Sequence, residues 1–193
     1  LDNVLHLLAR IRRYSVDVAL EVSTFDSVTP GFDYYFIPTV LNSPNTRWIT
    51  GQHVEALEAY GHFIDQAPLI TEGYCIMNTN CKAAQVTEVT TVPTKDEAVA
   101  YAQLAEHIFH LPYFYLEYSG TYGDVEIVRE VSEALHETKV IYGGGITNAQ
   151  QAKEMARYAD VIVVGNSLYT NLNEALRTVK AVRQVKKEER SYE

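Results

Sequence analysis

Apolar side chains along this chain recur with two different periods, and the places where one gives way to the other mark its elements. Val4, Leu5, Leu7, Leu8 and Ile11 fall on one face of a helix, and Arg10, Arg12 and Arg13 stand near its C-terminal end, where cations suit the dipole. Residues 16–22 then read as a strand. The connection over 23–31, which contains Pro30, is too short for the crossover helix that parallel strands need, so a break in regular βα alternation is expected there. Further strands are expected over 32–38, 70–77, 113–118, 139–142 and 161–164. Between them the spacing predicts helices over about 46–64, from about Thr94, and over 123–137, 148–158 and 172–185. The helix opening at Thr94 has Asp96 and Glu97 in its first turn and is expected to carry Val99, Leu104, Ile108 and Phe109 inward. The helix over 123–137 spaces Val125, Val128, Val131 and Leu135 in the same way. A polar connection through Asn78, Asn80 and Lys82 leads into a stretch with no clear period.

Strands alternating with helices imply a parallel sheet and an α/β fold. The expected class is a TIM-type (β/α)8 barrel with a modified third βα unit. The reading finds about six strands where a complete barrel has eight. Because the sequence opens inside a helical pattern, the first two strands and one helix are expected to be missing from its front. An open six-stranded sheet is the alternative. Residues 1–185 form one N-terminally incomplete domain in this reading, and 186–193 a charged tail.

Charge narrows the function. With a formal net charge of -9 over 193 residues, the chain lacks the basic stripe that a nucleic-acid backbone requires. It has no run of about 18 apolar residues and no signal-peptide pattern at its start, so no stable membrane span and a cytoplasmic location are expected. Cys75 and Cys81 have no His or Cys cluster around them and read as reduced thiols. His6, His53, His62, His107, His110 and His136 are scattered without metal-ligand spacing and read as surface or packing residues. Asp33 and Asn42 read as turn or capping residues. Tyrosine, at 14 residues, is unusually common; its flat face and polar tip suit a hydrocarbon groove with a wet rim, or ordinary core packing.

Two glycine junctions carry the candidate chemistry. The strand over 139–142 stops at Gly143, Gly144 and Gly145, and the strand over 161–164 stops at Gly165 and Asn166. In a barrel, the loops after the last two strands commonly hold phosphate on backbone amides, and glycine keeps side chains out of the way. Thr147 is expected to cap the helix that follows. Glu117 stands in a strand just before the break at Ser119 and Gly120 and is a candidate general base, or else a structural carboxylate. Tyr115 lies two residues before it and shares its face.

The phrases Tyr115-Leu116-Glu117-Tyr118-Ser119-Gly120, Tyr142-Gly143-Gly144-Gly145-Ile146 and Val163-Val164-Gly165-Asn166 resemble the PcrB family of heptaprenylglyceryl phosphate synthases, related to archaeal geranylgeranylglyceryl phosphate synthases. Pro30-Gly31-Phe32-Asp33, the phrase over 36–43 and Glu72-Gly73-Tyr74-Cys75 extend the resemblance over essentially the whole chain. It implies a prenyltransferase that joins a long polyprenyl diphosphate, heptaprenyl in the namesake family, to sn-glycerol 1-phosphate through an ether, releasing pyrophosphate. Tyr115, Leu116, Glu117, Tyr118, Ser119 and Gly120 would then hold the glycerol phosphate, with Gly145, Gly165 and Asn166 on its phosphate. Glu117 would be the base, and Tyr115 would orient the glycerol or face the cationic carbon. The resemblance also implies Mg2+, a homodimer and transient work at a membrane surface. The family's lysine and metal ligands lie on strands that would precede Leu1, so no metal ligand is expected within this sequence. If they are absent, little turnover and weak magnesium binding are expected, with glycerol phosphate binding partly kept. A phosphosugar isomerase or lyase, and an inactive phosphate-ligand binder, are the competing readings.

Overall fold

The computed structural model describes residues 2–22, 28–62, 65 and 68–185. Six strands lie in one sheet in chain order, each parallel to its neighbours: β1 (Ala19–Glu21), β2 (Tyr34–Val40), β3 (Leu69–Ile76), β4 (Tyr113–Glu117), β5 (Lys139–Gly143) and β6 (Val161–Val163). Among the described residues β1 pairs only with β2, and β6 only with β5, so the strands form an open arc of a barrel. Its register sets Tyr74 opposite Tyr115, Glu117 opposite Gly143, and Gly143 opposite Val163.

Strand alternation sorts the side chains into two layers. Cys75, Phe114, Leu116, Val140 and Tyr142 point outward and are buried beneath α4 (Lys95–Gln103), α5 (Val125–Glu133) and α6 (Ala149–Met155). Phe36, Val40, Tyr74, Ile76, Tyr113, Tyr115 and Ile141 form the inner layer. A third cluster packs Leu8 of α1 (Asp2–Ile11) and Ala56 of α2 (Gly51–Tyr60) against Val22, Tyr35 and Ile37.

Several elements differ from the sequence expectation for local reasons. The first strand is shorter than 16–22, although the Val22 amide still donates to the Phe36 carbonyl at 2.9 Å. The segment expected as one helix over 46–64 opens with a 3-10 turn, Thr46–Trp48, capped by Asn45, before α2 begins; residues 63–64 lie outside the described residues. So does 23–27 of the short connection. The stretch without a clear period contains α3 (Lys82–Thr87), whose N-cap is the thiol of Cys81, accepting from the Ala84 amide. Cys75 and Cys81 are both free and buried. Asn148, not Thr147, caps α6, and Gln151 binds back to Thr147. The closing helices are α7 (Ser167–Thr170) and α8 (Leu172–Arg183).

Ile108 and Phe109 do not point inward; they are 66% and 42% exposed. A π-helical turn at Leu104–Ile108 continues α4, and its wider winding rotates later residues away from the face set by Ala98 and Ala102. The same turn directs Glu106 under β5, where its carboxylate accepts from the backbone amides of His136, Glu137 and Thr138. Burial alone would raise this carboxyl, but the amides of Thr138, Glu137 and His136, with the His107 ring, hold it below its ordinary value. We expect Glu106→Ala to cost about 2 kcal/mol in urea unfolding near neutrality, since it strands buried donors. A depressed folded-state pKa stabilises above the ordinary carboxylate range and less as pH falls, so the difference from wild type should shrink in acid.

Candidate active site

The turns after β4, β5 and β6 converge on one cavity of about 290 Å³, lined by Tyr115, Ser119, Gly120, residues 143–147, Val163, Gly165, Asn166, Ser167 and Thr170. Close backbone approach builds it. The Tyr118 amide donates to the Gly143 carbonyl at 2.6 Å, and a Cβ on Gly143 would stand 2.1 Å from the Tyr115 hydroxyl. Gly145, at φ 61°, leaves no room either: a Cβ there would lie 2.2 Å from the Tyr122 nitrogen. These glycines let the β5 turn seat against the β4 turn. Gly165 differs, because a Cβ there would meet nothing within 4 Å. Its missing side chain leaves the cavity open. The wall holds no carboxylate, and it offers hydroxyls from Tyr115, Ser119, Thr147, Ser167 and Thr170. The Ser167 hydroxyl is buried without a hydrogen-bond partner, an arrangement that calls for an acceptor in the cavity.

Six of the sequence candidates, Tyr115, Ser119, Gly120, Gly145, Gly165 and Asn166, share this cavity. Leu116 and Tyr118 turn to the outer layer and pack beneath the helices, as alternation along β4 requires. Glu117 points inward but is only 3% exposed, and it is not part of the cavity wall. It accepts a hydrogen bond from the Ser119 amide at 2.6 Å on one oxygen and from the Tyr74 hydroxyl at 2.7 Å on the other.

Tyr74 belongs to a second cavity, a groove of about 380 Å³ along the inner ends of β1 to β3 and α3. Pro38, Val40, Trp48, Ile76, Ala83 and Val86 make it apolar, with Glu21, Gln52, Lys82 and Thr87 as polar members. Glu117 therefore bridges the two cavities, bonded to Tyr74 of the groove and to Ser119 of the cradle. The rings of Tyr74 and Tyr115 lie 4.7 Å apart between them. Asn78, after β3, ties the rims together by donating to the Ser119 carbonyl at 2.6 Å.

Two further carboxyls stand near Glu117, Glu72 buried and Glu21 exposed on the edge strand β1. Partial desolvation beside the groove and the nearby Glu117 raise the Glu21 carboxyl. Burial, then Glu21 and Glu117, push Glu72 up to about 9, and one Glu72 oxygen is buried without a partner. Burial and the Glu117 charge also drive the Tyr74 and Tyr115 phenols well above their ordinary value, so both stay protonated donors. Glu21, Glu72 and Tyr74 are absent from the sequence candidates. Their signal was the two-residue spacing of Glu72 and Tyr74 on one strand, which puts both on one face.

The described residues form no all-protein magnesium cage, and a magnesium ion carried by a diphosphate would need only one or two carboxylates from the chain. Among the described residues no group of three or more His, Cys, Asp or Glu is placed to hold a metal ion.

The fold and the two adjoining cavities at the C-terminal strand ends define a protein of the (β/α)8-barrel class. The chain belongs to the PcrB family, whose model matches residues 1–183. The heptaprenylglyceryl phosphate synthase of Bacillus cereus is 55% identical over 183 residues, covering 95% of this chain and 80% of the relative. The enzyme of the same name from Bacillus cytotoxicus is 53% identical over the same shares. Among solved structures, (S)-3-O-geranylgeranylglyceryl phosphate synthase from Thermoplasma acidophilum, in complex with its substrate sn-glycerol-1-phosphate, matches with a TM-score of 0.80 at 24% identity. That match covers 92% of this chain and 74% of the other, and at this identity it speaks for the fold.

Proposed function

We propose that the protein is a prenyltransferase of the heptaprenylglyceryl phosphate synthase kind, joining a long polyprenyl diphosphate to sn-glycerol 1-phosphate. The observation that carries this reading is Glu117 held between a hydroxyl-lined cradle and an apolar groove. The phosphate sits among the glycine turns and the Ser167 hydroxyl, and the free glycerol hydroxyl faces Glu117. The prenyl chain lies in the groove with its allylic carbon at the Tyr74 end. A glycerol C–O bond to that carbon then forms as the carbon–diphosphate bond breaks, and the hydroxyl proton passes to Glu117. The paired rings of Tyr74 and Tyr115 face the cation that develops. A phosphosugar isomerase or lyase has no use for the groove.

Labelled glycerol 1-phosphate, incubated with magnesium and polyprenyl diphosphates of increasing length, should give an organic-soluble product. Label that stays aqueous at every length would overturn the reading. A chelator should abolish product formation if the diphosphate reacts as its magnesium complex. The reading also takes the protein as a homodimer. No described helix is long and apolar enough to cross a membrane. A long prenyl chain would bring the protein transiently to a membrane surface.

A further inference from the structure

We propose that Lys82 anchors the diphosphate end of the prenyl substrate at the mouth of the apolar groove. This rests on the prenyltransferase reading above and names a residue that the sequence analysis left in a polar connection.

A diphosphate is a concentrated anion and needs a cation where it docks. Among all the described residues lining the two cavities, Lys82 is the single Lys, Arg or His. It forms no ion pair among the described residues, so its charge is not already spent on a protein carboxylate. Two contacts on its N-terminal side fix its position. Upstream, Asn78 is tied to the Ser119 carbonyl at the cradle rim. Immediately before Lys82, Cys81 caps α3 through the Ala84 amide. These two contacts hold the loop after β3 beside the Glu117 bridge, with Lys82 on the groove side and Ala83 and Val86 continuing the apolar wall.

Glu21 is the opposing charge in the same groove. The two groups form no ion pair, so the Lys82 ammonium is left for a ligand. An ammonium here would hold the leaving group within the groove that Tyr74 also lines and leave the hydrocarbon to the apolar wall. The cradle is thereby kept for the glycerol phosphate.

The test uses the full chain with magnesium present. Titration calorimetry measures binding of geranyl thiodiphosphate, a non-reacting diphosphate probe, and quenching of Trp48 fluorescence measures binding of geraniol, the same chain without the diphosphate. Lys82→Gln should weaken the thiodiphosphate about tenfold or more and leave geraniol unchanged. Lys82→Arg, which keeps the charge, should stay close to wild type. Equal thiodiphosphate affinity in Lys82→Gln and wild type would overturn the anchoring role while leaving the prenyltransferase reading intact. So would parallel loss of geraniol, or a loss in Lys82→Arg as large as in Lys82→Gln. If the wild-type protein binds no thiodiphosphate, both readings fall.

Discussion

Replacing Glu117 by glutamine should lower turnover by about 10²- to 10⁴-fold, the range over which a positioned base contributes, while glycerol 1-phosphate still binds. The split follows from geometry. Glu117 is not part of the cradle wall, so the phosphate contacts survive its replacement. Glutamine has the same shape, and its carbonyl oxygen can still accept from the Ser119 amide. The Tyr74 hydroxyl can turn to accept from the new amide nitrogen, so neither neighbour is stranded. What disappears is an anionic oxygen able to take a proton. Single-turnover product formation and calorimetric binding of glycerol 1-phosphate, measured on one preparation, separate the two quantities. Equal losses in both would make Glu117 a structural carboxylate that holds Ser119 in place, and the base would have to be sought elsewhere.

The parts of this arrangement that were legible in the sequence are those encoded by short-range pattern. Apolar runs stopping at Gly143 and Gly165 mark two strand ends, and parallel topology brings successive strand ends together, so their convergence follows from the sequence pattern. Alternation likewise put Tyr115 and Glu117 on one face. It did not say which face, and so it could not exclude Leu116 and Tyr118, which turn to the helices. The phase of α4 was misjudged because a π turn changes the winding without a residue type that announces it. Helix α3 was hidden because a cysteine thiol serves as its cap, outside the usual Ser, Thr, Asp and Asn. Glu21, Glu72 and Tyr74 were passed over for a different reason. Each looks ordinary within its own strand, and only register across β1, β3 and β4 gathers them around Glu117.

That gathering has a consequence for stability. Wild-type protein should lose about 3 kcal/mol or more of unfolding free energy between pH 5 and pH 9, and Glu72→Gln should remove most of that loss. Glu72 is 1% exposed, with one oxygen unpartnered, and burial followed by the repulsion of Glu21 and Glu117 raises its carboxyl from 4.5 to about 9. Between those two values the folded chain keeps a proton that the unfolded chain has released, so each rise in pH favours unfolding. The penalty begins above 4.5, grows at about 1.4 kcal/mol per pH unit for a fully protonated native group, and levels off near pH 9. Glu21 is raised in the same direction, so some slope should remain in the variant. Glutamine keeps the volume and the neutral state that the interior imposes and cannot ionise when the chain unfolds. Urea unfolding at a series of pH values, with wild type and Glu72→Gln compared at each, gives the difference directly. Curves that run parallel from pH 5 to pH 9 would mean that Glu72 is ionised in the native barrel. Glu72 would then stand as a second buried anion beside Glu117, and Glu117 could not be treated as the one anion facing the glycerol hydroxyl.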